Sequence, residues 1–170
     1  MPGSTGGTLG SMAKETMDRV RALQQGVLEP GEFFTAATRV RWKTGMLRFL
    51  GPIYWAAAAS RRKNPKQAKL PLEGIWAVTD RRLLVFNSDR ARRLKPTTLV
   101  ASFPLGDEAH LVELRDPAKA LGAGDHWTYL TVHLGDQTIE VEAPEAEAIV
   151  FADALRRNGP GRTEAPAAHG

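Results

Sequence analysis

Two short apolar runs separated by four polar residues constrain this chain more than any other stretch. Ile75, Trp76 and Val78 form the first run and Leu83, Leu84, Val85 and Phe86 the second, with Thr79, Asp80, Arg81 and Arg82 between them. β-Branched, aromatic and aliphatic residues favour extended structure, and a brief polar connection favours reversal of the chain. Residues 74–89 therefore predict a β-hairpin, with Asp80 placed to accept from the turn's backbone donors.

The flanking sequence predicts further strands. In 33–43, Val40 and Trp42 alternate with Arg39, Arg41 and Lys43, which makes one face apolar and the other basic. Downstream, 98–103 stops at Pro104, and 110–115 ends at Asp116-Pro117. The segments 127–134 and 138–142 flank a Gly135-Asp136 turn, with Leu130, Val132, Leu134, Ile139 and Val141 as the alternating inward set. Seven strands result.

A helix follows them. Pro144 suits a first turn, Glu145 and Glu147 favour the positive N-terminal end, and Arg156, Arg157, Asn158 and Gly159 mark the C-terminus. Its apolar stripe is expected from Ile149, Val150 and Leu155, with Phe151 beside it. Upstream, Ala13, Met17, Val20 and Leu23 predict an amphipathic helix over 11–25, capped by Ser11 and ended by Gly26. The expected organisation is a flexible tail and helix in 1–28, one domain in 29–158, and a disordered tail in 159–170.

The words Thr79-Asp80-Arg81-Arg82-Leu83-Leu84 resemble the hairpin that marks bacterial pleckstrin-homology-like and GRAM-like domains. The resemblance covers roughly 32–158 and implies a mainly β fold with α: a seven-stranded, partly open barrel capped by a C-terminal helix, here with an additional N-terminal amphipathic helix. It also implies a binding module. Phosphoinositide-binding members carry basic residues at the end of the first strand and the start of the second. Arg41 and Lys43 match the first position, whereas Lys69-Leu-Pro-Leu-Glu-Gly lacks the expected basic pair, so generic anionic-lipid attraction is favoured over a specific inositol-phosphate pocket.

Charge is segregated along the 170 residues. Residues 39–95 carry 15 Lys/Arg against 3 Asp/Glu, although the whole chain is only +4. Such a segment calls for an anionic partner. The long interruption at 44–72 is its centre, and a short helix is expected within 53–62. Phe49, Ile53, Tyr54 and Trp55 supply an apolar anchor, and Arg61, Arg62, Lys63, Lys66 and Lys69 follow closely. Interfacial aromatics beside a cationic cluster suit a membrane surface, with Arg41 and Lys43 adjoining. The competing expectation is that the same apolar groups pack on the barrel.

Chemistry is sparse. The chain has no cysteine, and His110, His126, His133 and His169 are scattered, with no metal-ligand, nucleophile-elbow or phosphate-loop pattern. The reading is of no enzyme, no metal and no cofactor. The N-terminus lacks a secretory pattern, and the longest largely apolar run, 46–59, is too short to span a bilayer, so the expected location is cytoplasmic, peripheral at the inner membrane surface. Nucleic acid is disfavoured for want of a reading motif, although Arg90, Arg92, Arg93 and Lys95 could meet phosphate. The leading expectation is association with an anionic lipid surface. The alternative is a protein-interaction or homo-oligomerisation domain using the same loop or the Met17/Val20/Leu23 helix face.

Overall fold

Strands that are apolar at every position need cover on both faces, and among the described residues two helices provide it. The computed structural model describes residues 6–22, 26–42, 70–71, 73–89, 95–115 and 126–158. Helix α1 (Gly6–Arg21) leads into β1 (Phe34–Trp42), β2 (Glu73–Thr79), β3 (Arg82–Asp89), β4 (Lys95–Pro104), β5 (Ala109–Leu114), β6 (Trp127–Leu134) and β7 (Gln137–Pro144), and α2 (Glu145–Asn158) follows. All seven strands form one antiparallel sheet in the order β4-β3-β2-β1-β7-β6-β5. The sheet is not closed: β4 and β5 are its edges, and the chain passes between them through an isolated bridge from Leu105 to Ala109.

The hairpin at 74–89 forms as its sequence requires, with Val78 opposite Leu83 and only Asp80 and Arg81 in the loop. Thr79, not Asp80, satisfies the turn. Its Oγ1 accepts from the N–H groups of Arg81 and Arg82 at 3.1 and 2.9 Å. Asp80 instead accepts from the Phe33 N–H at 3.2 Å, which ties the turn to the start of β1. Near the other end of the hairpin, Gly74 sits so close to β3 that a Cβ there would lie 2.5 Å from the Phe86 carbonyl oxygen.

Alternation then sorts the two apolar runs. Trp76, Val78, Leu83 and Val85 enter the main core with Val40, Leu130, Val132, Leu134, Ile139, Val141 and the α2 residues Ala148, Phe151 and Leu155. Ile75, Ala77, Leu84 and Phe86 face the other way, where Val20 of α1 covers them with Met17, Val27 and Leu28. Burial on both faces explains why the runs lack polar residues.

Three expectations change. The buried face of α2 is Glu147, Ala148, Phe151, Ala152, Ala154 and Leu155, while Ile149 and Val150 are 42% and 45% exposed. Alanines let the helix approach the sheet closely, and counting only large apolar residues rotated the expected stripe. Helix α1 begins at Gly6 rather than Ser11, which places part of the expected tail inside it; Leu23 lies outside the described residues. Edge strand β4 begins at Lys95, ahead of the expected 98, and admits Pro96 near its start, as an edge strand can.

Candidate anionic-surface site

A guanidinium packed against a sheet needs acceptors, and carboxylates from a strand, a helix and the segment before β1 meet those on the described strands. Glu32, with its side chain fully buried, receives Arg82 Nε at 2.8 Å and Nη2 at 2.6 Å, plus the Thr79 hydroxyl at 2.7 Å. The paired Arg82 guanidinium, opposed by burial and aided by Thr79 and the Glu29 N–H, holds the Glu32 carboxyl down at about 2; Arg82 is pushed up in turn. Arg82 Nη2 also donates to the Val27 carbonyl at 3.0 Å, which fastens the connection after α1.

A second buried carboxylate sits where the sheet splays. Strand β1 meets β7 only at Arg41 and Trp42, so the Arg39 N–H finds no strand partner on that side. Glu147 takes its place, accepting the Arg39 N–H at 2.7 Å, Arg39 Nε at 3.0 Å and the Thr16 hydroxyl at 2.9 Å. One carboxylate on α2 thus joins α1 and β1.

Arg41 lies at the end of β1, paired with Glu142 and stacked 3.7 Å over the Trp127 ring. Arg115 pairs with Glu140 at 3.0 Å, and Arg81 lies within 3.7 Å of both Glu29 and Asp80. The helical arginines Arg19, Arg21 and Arg156 likewise have carboxylate neighbours on their own helices. Within the basic stretch 39–95 these pairs account for Arg39, Arg41, Arg81 and Arg82, four of its 15 Lys/Arg.

Of the residues expected to meet an anionic surface, Arg41 alone is among those described. Lys43, Arg61, Arg62, Lys63, Lys66 and Lys69 lie outside them, as do the expected anchors Phe49, Ile53, Tyr54 and Trp55, the helix expected in 53–62, and Arg90, Arg92 and Arg93. What the fold positions is the two ends of the segment. It departs from Trp42, beside β7, and returns at Leu70, which packs on the main core. Residues 43–69 contain seven Lys/Arg and no Asp/Glu. The return is tight, since Pro71 lies 3.0 Å from where a Gly74 Cβ would be.

The histidines are less scattered than the sequence suggests. His110 and His133 are cross-strand partners with ring centroids 4.8 Å apart, whereas His126 is exposed in a turn at positive φ. Among the described residues no three His, Cys, Asp or Glu side chains group to hold a metal, and no helix is long and apolar enough to cross a membrane. No family model matches the chain, and no curated protein matches it.

Proposed function

We infer that this chain is a non-catalytic pleckstrin-homology-like binding module that associates peripherally with an anionic membrane surface through 44–69 and the basic residues adjoining it. The observation that carries this reading is the partition of charge. Eight of the nine described arginines lie beside carboxylates, Arg157 donating instead to the Asp153 carbonyl, while the connection from β1 to β2 contains seven cations and no acid in its sequence. Each Lys or Arg near an anionic leaflet adds about 1 kcal/mol, and the neighbouring Tyr54 and Trp55 suit the head-group boundary. Seven strands followed by a helix, with the Thr79–Leu84 words joining β2 to β3, support the pleckstrin-homology-like part.

The second reading, a protein-interaction or homo-oligomerisation domain, would use the same segment. The helix face is a weaker candidate for it, since Val20 is fully buried on the sheet. Co-sedimentation with neutral and anionic liposomes at low and high salt separates the two. Pelleting that requires anionic lipid and declines with salt supports the membrane reading; protein that stays in solution throughout while forming a defined oligomer replaces it with the second.

A further inference from the structure

The β5–β6 ladder brings together two imidazoles whose arrangement has a consequence beyond packing. His110 Nδ1 lies 2.9 Å from the Gly106 carbonyl oxygen. A carbonyl only accepts, so this nitrogen carries the hydrogen, and Nε2 of the neutral ring keeps its lone pair. His133 Nδ1 lies 3.3 Å from the Thr138 hydroxyl, which can accept in the same way. Neither Nε2 has a hydrogen-bond partner among the described residues. An oxygen on one ring nitrogen that leaves the other open is how proteins orient metal-binding histidines.

The surroundings favour a cation. The turn before β5 abuts the turn between β6 and β7, where the Gly135 N–H donates to the Glu108 carbonyl at 2.7 Å. Asp107, Glu108 and Asp136 on these turns are exposed and acidic. Arg81, whose carbonyl accepts from the Leu105 N–H, has its side chain beside Glu29 and Asp80. Carboxylates raise the local concentration of cations without having to ligate them.

The geometry points to a two-imidazole site at His110 and His133 for a borderline divalent transition-metal ion such as Zn2+, with water completing the coordination. Imidazole nitrogen suits this class, and calcium and magnesium, which require oxygen donors, are rejected. The rings are stacked, with planes 26° apart, and tetrahedral coordination needs two in-plane lone pairs converging on one ion with the nitrogens about 3.3 Å apart, so binding requires both half-exposed rings to rotate out of the stack. With two protein ligands the affinity is modest beside that of a closed four-ligand site.

Calorimetric titration of the full chain with zinc chloride tests this, using magnesium chloride as the comparison. One saturable zinc equivalent is expected, weakened at least about tenfold in both His110→Gln and His133→Gln and retained in a His126→Gln/His169→Gln double variant. In 1H–15N spectra of the unaltered chain, shifts should concentrate in β5 and β6, a readout that does not depend on any variant folding. Absence of saturable binding, binding lost only in the double variant, or shifts located elsewhere would overturn the site.

Discussion

Arg82 and Glu32 form a bidentate pair in which both carboxylate oxygens of a fully buried side chain receive guanidinium N–H groups, at 2.6 and 2.8 Å. The pair joins the central hairpin to the segment before β1, and Arg82 reaches the Val27 carbonyl as well. Replacing Arg82 with Met should destabilise the protein by about 3–5 kcal/mol, because it leaves a buried carboxylate unmatched. Chemical denaturation of the variant measures it.

The same pair sets an acid limit. Glu32 is held at about 2 against an ordinary value of 4.5, so its contribution is complete above pH 4.5 and is lost as pH falls through about 2. The contribution amounts to about 3 kcal/mol. Denaturation across this window should show a shallower acid dependence in Glu32→Gln than in the unaltered protein. Identical slopes would assign acid sensitivity to other groups.

Glu147 is expected to govern the docking of α1. Thr16→Val keeps the side-chain shape but removes a hydrogen bond to a charged acceptor, at a cost of about 1.5–3 kcal/mol. Hydrogen exchange should accelerate in α1 while β2 and β3 remain protected. Uniform acceleration would mean that the helix and the sheet open as one unit.

Gly74→Ala should be disproportionately costly for so small a change. The new Cβ would meet the Phe86 backbone at 2.5 Å, where neither β2 nor β3 can withdraw without losing its pairing. A loss of about 2 kcal/mol, or roughly 4–8 °C in melting temperature, is expected.

Replacing Arg61, Arg62 and Lys63 with Ser should weaken partitioning onto anionic liposomes by about 3 kcal/mol, roughly a hundredfold, at low salt. Oligomeric mass should not change. A lost oligomer with unaltered liposome binding would instead favour the protein-interaction reading.

The strand segments were largely legible because a strand places alternating residues on opposite faces, and Leu130, Val132, Leu134, Ile139 and Val141 follow that alternation into the core. The hairpin was legible for a local reason, since its two strands are separated by only two loop residues. The basic segment was legible as composition alone: its cations can be counted, but a count carries no geometry, and of the expected site only Arg41 has a described environment.

Other features depended on distant partners. Glu32 and Arg82 are 50 residues apart and Thr16 and Glu147 are 131 apart, so no local pattern marks them as pairs. His110 meets His133 only because β5 and β6 pair in one particular register across a long connection. The α2 stripe of large apolar residues is not its buried face, because close packing favours alanine and a splayed strand needs a carboxylate at Glu147. Local periodicity and turn chemistry thus determined which segments are strands and helices, since those depend on neighbouring residues. Tertiary structure decided which charges are paired and which histidines meet, because those follow from the approach of chain segments that the sequence keeps far apart.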